Sequence, residues 1–322
     1  MAQLTGTTDT FDLVGLAEDV EDIINDISPT DTPFYTMAKK KKATAVLHQW
    51  QTDALAAAAT NRAIEGDDST YATATPTVML SNYCQIARKT VMVSGTADVV
   101  RKYGRKEQFA FEMAKRGREI KRDIEFALVQ NQVSSAGGSS TARSSAGVEA
   151  MISGNRIVGT GNITGTTPGY AAGVWGAVTD GTSTAMTEAD LVSAFEAAWT
   201  DGGNASTVMV GSALKKKIGT FAGATSYAGV SVNQGRTAQG VIVGGVDLYI
   251  SPFGEHKIVL NRFQRTGTLL ALDMDYWSVA FLRPIKMEER AKTGDATKGE
   301  LLCEFCLVGD APDASAKIQA VT

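Results

Sequence analysis

The stretch RKEQFAFEMAKRGREIKRDIEFALVQNQ, residues 105–132, predicts the longest helix of the chain. Apolar side chains and one glycine recur along it every three or four positions, which is the spacing of one helical face: Phe109, Met113, Gly117, Ile120, Ile124 and Leu128. At a rise of about 1.5 Å per residue, such a helix is about 40 Å long, well above the usual three turns. Positions 101 to 123 hold nine basic and four acidic residues, so the helix is basic.

Length and composition place the chain among ordinary globular proteins. It has 322 residues, 43% hydrophobic and 20% charged, enough for one large domain or two modest ones. The net charge of −4 implies no bulk electrostatic attraction to nucleic acid or membrane. No apolar run approaches the roughly 20 residues of a membrane span, and the N-terminus lacks the pattern of a secretory signal. Three cysteines fit a reducing compartment.

The first 31 residues form an acidic segment with eight carboxylates and no lysine or arginine. An apolar stripe at helical spacing runs through it: Leu16, Val20, Ile23, Ile24 and Ile27. The helix is expected to end at Ser28, because the following proline disfavours the α conformation. One short amphipathic helix is marginal in water, so the stripe must be buried on another surface. That surface is either the chain's own body or a neighbouring subunit, and we favour the neighbour.

The acidic segment, from the same chain or a neighbour, is expected to lie near the basic helix. Exposed ion pairs contribute only about 0–1 kcal/mol each, so the charges would set the register while apolar contacts hold the segment. The candidate assembly residues come from these two segments and three aromatic positions: Leu16, Val20, Glu21, Asp22, Ile23, Ile24, Ile27, Phe34, Trp50, Tyr83, Arg116, Arg118, Lys121 and Arg122. Among them, Trp50 and Tyr83 are expected to pack within a hairpin rather than to bind a ligand.

Residues 43–95 predict a long β-hairpin with a flexible tip. ATAVLHQWQTDAL and TPTVMLSNYCQIARKTVMVSG alternate loosely and are rich in β-branched residues, and a small polar stretch separates them. A strand of about 12 residues reaches about 40 Å, and an isolated two-stranded hairpin is marginal in water. We therefore expect the hairpin to lie across another molecule. The preceding run Lys39–Lys42 is expected to be a solvated loop.

The second half of the chain predicts an α/β unit followed by two long strands. TEADLVSAFEAAW, from Thr187, opens with the Thr-x-x-Asp of a capping box. STVMVGS, VDLYI, HKIVLN, TLLALDM and YWSVAFL are typical of strands in one mixed sheet, and Ser212 is the expected N-cap of a helix at ALKKKIGTF. RPIKMEERAKTGDATKGELLCEFCLVGD predicts two strands joined at residues 293–295.

No pattern of catalytic or ligand-binding residues is present. Cys303 and Cys306 form a Cys-x-x-Cys, but in a strand their side chains point to opposite faces and cannot share a metal. His48 and His256 have no carboxylate companions at ligand spacing. The sequence has no dinucleotide fingerprint, P-loop or Gly-x-Ser-x-Gly motif. We therefore expect no catalytic, cofactor or metal site, and no enzyme, which would need a pocket with converging polar groups.

Four segments together carry a family resemblance. They are EDIINDISPTDTPFYTMAKKKKATAVLHQWQTDAL (21–55), EGDDSTYATATPTVMLSNYCQIARKTVMVSGTADVV (65–100), GREIKRDIEFALVQNQ (117–132) and AKTGDATKGELLCEFCLVGDAP (291–312). In the same order along most of the chain, they resemble the major capsid (major head) proteins of tailed bacteriophages. The resemblance is weaker over residues 136–245.

This resemblance implies an α+β fold of the Hong Kong 97-like type. Its parts would be an N-terminal arm at residues 1–42, an extended loop (E-loop) at 43–95, a peripheral domain at 96–184 with a spine helix at 105–132, an axial domain at 185–283, and C-terminal strands at 284–322 returning to the peripheral domain. In this family a compact precursor shell expands as DNA enters, by rigid-body motion of its subunits.

The implied function is self-assembly of hexamers and pentamers into an icosahedral head around double-stranded DNA. The protein would be part of the virion, assembled in the host bacterial cytoplasm. Implied partners are further copies of the chain, the portal, scaffolding or cement proteins, and DNA bound without sequence specificity, with no membrane. Two alternatives stay open: another virion structural protein, such as a decoration or tail-tube protein without a spine helix, and a cytoplasmic enzyme.

Overall fold

The computed structural model describes residues 31–68, 71, 73–159, 165–221 and 247–322. The α-helices are α1 (Pro33–Met37), α2 (Gly95–Val99), α3 (Gln108–Val129), α4 (Val148–Met151), α5 (Glu188–Thr200) and α6 (Ser212–Ile218). The strands are β1 (Lys39–Lys42), β2 (Leu47–Thr52), β3 (Val78–Tyr83), β4 (Gln85–Ser94), β5 (Arg156–Val158), β6 (Tyr170–Ala171), β7 (Val174–Trp175), β8 (Thr207–Val210), β9 (Leu248–Ser251), β10 (Gly254–Leu260), β11 (Leu269–Leu272), β12 (Trp277–Arg290), β13 (Ala296–Gly309) and β14 (Ala316–Gln319). Helices and sheets are thus mixed in an α+β architecture.

The predicted long helix is α3, which is shorter at both ends than residues 105–132. It has 22 residues, about 33 Å at the usual rise. The backbone N–H of Gln108 donates to the Asp98 carboxylate at the start of the helix (2.9 Å), and the backbone of Gln130 is extended at its end. The predicted apolar face is buried at Met113, Ile120, Ile124 and Leu128. This face packs against β4 and β13.

A four-stranded sheet in the order β1, β12, β13, β4 supports α3. The antiparallel strands β12 and β13 are the two C-terminal strands predicted from the sequence, each 14 residues long. Gly294 in the turn between them has a φ of 74°, a conformation that glycine adopts readily. β12 begins at Trp277, so the YWSVAFL strand belongs to this sheet and not to the α/β unit. The expected division at residue 283 therefore falls inside a continuous strand.

The second sheet is mixed, as predicted, and has six strands in the order β5, β14, β11, β8, β10, β9. β8 pairs in parallel with β10, whereas β11 runs antiparallel to β8. Two of its strands, β5 and β14, come from outside the predicted unit. α5 covers this sheet and begins with the predicted capping box, in which Thr187 and Asp190 bond reciprocally. The predicted cap of α6 is wrong, because Gly211 is the N-cap and Ser212 is the first helical residue.

The predicted hairpin is present but shorter than expected. β2 and β3 pair antiparallel, from Leu47 opposite Tyr83 to Thr52 opposite Val78. The described residues between these strands form no helix or strand. The second predicted strand is divided at Cys84, beyond which β4 pairs with β13 instead of continuing the hairpin.

Lys39–Lys42 form a strand rather than the expected loop. β1 pairs in parallel with β12 at one edge of the four-stranded sheet, because no other described strand occupies that side of β12. All four side chains are exposed, as expected for a solvated segment. Lys39 forms an ion pair with Asp275 (2.8 Å), and Lys41 forms one with Asp310 (2.6 Å).

The two cysteines of the Cys-x-x-Cys motif lie on opposite faces of β13, as predicted. Cys303 belongs to the main hydrophobic core, whereas Cys306 belongs to a small separate cluster. Over the described ranges, no group of three or more His, Cys, Asp or Glu side chains is arranged to hold a metal ion. None of the described helices is long and apolar enough to cross a membrane.

Candidate assembly interface

The tip of the β2–β3 hairpin is exposed to solvent in the isolated chain. Residues 53–68, 71 and 73–77 are all exposed. Three large apolar side chains project from this tip: Leu55 is 98% exposed, Ile64 79% and Tyr71 96%. Burying apolar surface contributes about 25 cal/mol per Å², so a partner surface that covers these side chains would gain stability from the contact.

The base of the hairpin is fixed to the body of the protein. Trp50 packs against both the main core and the small cluster around Cys306, which agrees with the packing role predicted for it. Tyr83 is partly buried at the last pair of the hairpin, opposite Leu47. Trp175 Nε1 donates to the carbonyl oxygen of Ser81 in β3 at 2.9 Å. The hairpin therefore has an anchored root and an uncovered tip.

Phe34 is a core residue of its own chain. Its side chain is fully buried, and its ring meets the ring of Trp277 edge-on with the centroids 6.3 Å apart. None of its surface is left for a second subunit, so the sequence-based assignment of Phe34 to the assembly interface is wrong. It instead anchors α1 in the main hydrophobic core.

A buried glutamate also holds α1. Glu125 Oε1 accepts hydrogen bonds from the backbone N–H of Phe34 (2.9 Å) and from Asn261 Nδ2 (2.6 Å), and Oε2 accepts one from the N–H of Tyr35 (2.7 Å). Burial raises the pKa of Glu125, and these three bonds oppose that rise. The carboxylate thus joins α3, the root of the N-terminal segment and the turn after β10.

Glu125 is not among the residues predicted from the sequence. Its only sequence signal is a carboxylate beside Ile124 in the apolar face of α3, where an unpaired charge would be costly. A second charged group, Lys40, approaches the same junction, with its ammonium 3.8 Å from the centre of the Tyr35 ring.

The four basic candidates on α3 do not converge on one site. Arg116 forms an ion pair with Glu119 one turn later (2.6 Å). The guanidinium of Arg122 lies 5.8 Å from the centre of the Phe263 ring. Arg118 and Lys121 are exposed. Arg116 is therefore the member of this set that lines a groove.

That groove lies between β4, α2 and the first half of α3 and has a volume of about 810 Å³. Its charged side chains are the basic Lys102, Arg105 and Arg116 and one carboxylate, Glu112, so its net charge is positive. Apolar surface is exposed at the same place, on Met92 (68%) and Val100 (56%). The groove thus combines positive charge with uncovered apolar area, which are the two properties that an acidic amphipathic segment complements.

The remaining candidates lie outside the described residues. They are the apolar stripe and the two carboxylates of the N-terminal arm: Leu16, Val20, Glu21, Asp22, Ile23, Ile24 and Ile27. Their contacts with α3 or with another subunit stay predictions.

Comparison with known proteins identifies the family. Residues 3–322 match the SU10 major capsid protein family. The chain is 30% identical to the major capsid protein of Escherichia phage Phieco32, over 91% of this chain and 90% of that protein.

Solved structures agree in fold. The capsid asymmetric unit of cyanophage A-1(L) superposes with a TM-score of 0.64 at 15% identity, covering 99% of this chain and 100% of the other. The mature capsid of bacteriophage PhiM1 gives a TM-score of 0.58 at 10% identity, covering 100% and 97%. These neighbours have the Hong Kong 97-like fold that the resemblance implied.

A capsid protein is a structural component of the virion, and this agrees with the expectation that the chain is not an enzyme. The family match also favours a shell protein over the alternative decoration and tail-tube proteins. The match over nearly the whole sequence, the shared fold and the anchored hairpin lead to one conclusion: this chain belongs to the SU10 family of phage major capsid proteins.

Proposed function

We propose that this capsid protein assembles into hexamers and pentamers that tile an icosahedral head around double-stranded DNA. The observation that carries the proposal is the β2–β3 hairpin, whose root is fixed by Trp50 and whose tip exposes Leu55, Ile64 and Tyr71. Within the described ranges the tip contacts no core. It becomes stable when it lies on a neighbouring copy.

Such a hairpin makes heterologous contacts, in which one surface of a subunit meets a different surface of the next. Contacts of this kind close into rings when the rotation between subunits permits. Each contact can be weak, because several contacts made by one subunit act together through effective concentration. The E-loop at residues 43–95 and the domain divisions given above, apart from the one at residue 283, remain part of this proposal.

The acidic arm supplies the second contact of the proposal. Its stripe of Leu16, Val20, Ile23 and Ile24 would cover the apolar part of the groove between β4, α2 and α3 of a neighbouring subunit. Glu21 and Asp22 would lie near the groove's basic side chains. Since exposed pairs are worth about 0–1 kcal/mol each, these charges select the register and the apolar contact supplies most of the affinity.

DNA is enclosed in this proposal without sequence-specific binding. A net charge of −4 suits a container, because tight binding to phosphate would hinder packing and ejection of the genome. Assembly would take place in the cytoplasm of the bacterial host, with the portal and scaffolding or cement proteins as further partners.

Electron microscopy of the expressed full-length chain tests the assembly. We expect closed shells with hexamer and pentamer tiling. The variant Leu55→Ser/Ile64→Ser/Tyr71→Ser should lose most shells, because its hairpin tip no longer offers apolar area. Ala57→Ser/Thr73→Ser is the matched control at exposed tip positions and should assemble normally. Rings, tubes or surface trimers without closed shells, or normal shells from the triple variant, would contradict the proposal.

The arm contact has its own test. Glu21→Lys/Asp22→Lys should reduce the yield of shells in sedimentation and microscopy, whereas the charge-preserving Glu21→Asp/Asp22→Glu should not. Adding Arg105→Glu/Arg116→Glu to the lysine variant should restore part of the yield if the groove is the partner. Normal particles from the lysine variant would refute the charge pairing but would leave the proposed hairpin contact unaffected.

A further inference from the structure

Two of the three cysteines lie together in a small buried cluster. Cys84 occupies the break between β3 and β4, and Cys306 lies in β13. Both side chains are 0% exposed, and their cluster also contains Ala43, Ala280 and Val308. Both thiols are free in this structure.

The strand register places these two residues opposite each other. β4 and β13 are antiparallel, with Gln85 opposite Phe305, so the next position along the ladder pairs Cys84 with Cys306. The backbone N–H of Cys84 donates to the carbonyl oxygen of Val46 (2.8 Å) and so points away from β13. Cys84 and Cys306 are therefore a non-hydrogen-bonded pair of the β4–β13 ladder. Residues at such positions approach most closely, with Cα atoms about 4.5 Å apart, which lies within the range of disulfide-linked cysteines.

The electrostatic setting distinguishes the two cysteines from the third. Interaction with the Cys306 thiol holds the pKa of Cys84 below its usual range, and the same contact raises the pKa of Cys306. Cys303 lies on the opposite face of β13, where burial raises its pKa to about 12. Because the thiolate is the reactive form of cysteine, this setting favours Cys84 over Cys306 and Cys303 as the attacking thiol.

We propose that Cys84 and Cys306 form an intrachain disulfide when the protein meets a small peroxide. The Cys84 thiolate attacks one peroxide oxygen, the O–O bond breaks, and Cys84 becomes a sulfenic acid as the peroxide is reduced to water or an alcohol. The Cys306 sulfur then attacks the Cys84 sulfur, the S–O bond breaks, and water leaves with the thiol proton. Two thiols are oxidised and one peroxide is reduced.

The bond would staple the root of the hairpin to the four-stranded sheet. It joins positions about 220 residues apart in the chain, and a long closed loop restricts the unfolded chain strongly. A protein made in a reducing cell and then released would carry reduced thiols during assembly and the disulfide afterwards. The chemistry itself does not depend on shell assembly, so it is tested on the unassembled chain.

Full-length protein, purified under reductant and kept unassembled, is treated with hydrogen peroxide, then denatured and alkylated. The thiol count should fall from three to one per chain. Digestion with trypsin and a glutamate-specific protease separates Cys303 from Cys306, because Glu304 lies between them. Mass spectrometry should then find one peptide pair that joins Cys84 to Cys306 and is lighter by two hydrogens. The oxidised protein should also melt several degrees higher than the reduced protein.

Alanine variants supply the controls, since the cluster is apolar. Cys303→Ala should still lose both of its remaining thiols, whereas Cys84→Ala and Cys306→Ala should form no intrachain disulfide. The mapping on the unmodified chain decides the matter even if a variant misfolds. Three free thiols at a peroxide dose that oxidises the urea-unfolded chain, a bond through Cys303, or bonds only between chains would each overturn the proposal.

Discussion

Replacing Glu125 with alanine tests whether this carboxylate holds the root of the N-terminal segment. The change removes the acceptor for the N–H groups of Phe34 and Tyr35 and for Asn261 Nδ2. Removing one partner from a buried charged network costs about 3–5 kcal/mol. Each buried donor left without an acceptor accounts for about 1–3 kcal/mol of such a loss. Burial already raises the pKa of Glu125, so the net loss lies below the sum for three donors. We expect Glu125→Ala to lower the free energy of unfolding by about 3–5 kcal/mol.

Urea unfolding of the full-length, unassembled chain measures this loss, with tryptophan fluorescence as the signal because Trp277 contacts Phe34. Limited proteolysis gives a local readout. Residues 1–38 contain no lysine or arginine, so Lys39 in β1 is the first site for trypsin. Release of α1 should loosen β1, and the variant should be cut there faster than the wild type.

Asp123→Ala is the matched control on the same helix. Asp123 is 50% exposed and pairs with Lys89 at 2.7 Å, so its removal should cost only about 0–1 kcal/mol. Glu125→Gln keeps one acceptor oxygen but places the new side-chain NH₂ against a group that also donates. We expect it to lower the free energy of unfolding by an intermediate amount, about 1–3 kcal/mol. If Glu125→Ala matches Asp123→Ala in urea and resists trypsin like the wild type, the reasoning about this junction is refuted.

Three further predictions concern Lys317, two glycines and Thr187, and each is measured by unfolding of the unassembled chain. Burial lowers the pKa of Lys317 from 10.5 to about 7, so the native state keeps the amine neutral where the unfolded chain protonates it. Below the unfolded pKa, the unfolded chain binds a proton that the native state does not bind. The free energy of unfolding is therefore highest above the unfolded pKa and decreases as the pH falls toward 7. The free energy of unfolding of the wild type, measured relative to that of Lys317→Met, should rise between about pH 7 and 10 by up to about 1.4 kcal/mol per pH unit. A difference between the two proteins that does not change with pH would contradict this. Gly117→Ala, in open space on α3, should stabilise by about 1 kcal/mol. Gly147→Ala would place its Cβ 2.0 Å from the Gln130 carbonyl oxygen and should destabilise by about 1–3 kcal/mol; equal effects of the two alanines would count against this packing. Thr187→Ala removes the N-cap of α5 and should cost about 0.5–2 kcal/mol, while Thr187→Ser should cost less, and no loss in the alanine variant would show that the cap is dispensable.

Features set by neighbours in sequence could be predicted. The apolar face of α3 follows from the spacing of Ile120, Ile124 and Leu128, and the start of α5 follows from the pairing of Thr187 with Asp190. The opposite orientation of Cys303 and Cys306 follows from the alternation of side chains along a strand. Each of these depends on backbone geometry over a few residues.

Features that depend on residues far apart in the chain could not be predicted from the sequence. The break at Cys84 depends on whether the chain continues along β2 or turns to β13, and both choices suit the same alternating sequence. The sequence pattern assigned Phe34 to the assembly interface, yet Trp277 packs against its ring and Glu125 accepts its backbone N–H from far along the chain. At the interface, the sequence predicted a projecting hairpin but not which of its apolar residues stay uncovered.

The lysine strand β1 has a consequence for how copies of this protein meet at high concentration. The free edge of a sheet invites a foreign strand, which is the first step of fibre growth and aggregation. Here all four residues of that edge strand are exposed lysines, and Lys39 and Lys41 form ion pairs with Asp275 and Asp310. Two such edges would have to strip water from these charged side chains before they joined. The lysine strand therefore disfavours edge-to-edge pairing between the sheets of two copies of this chain.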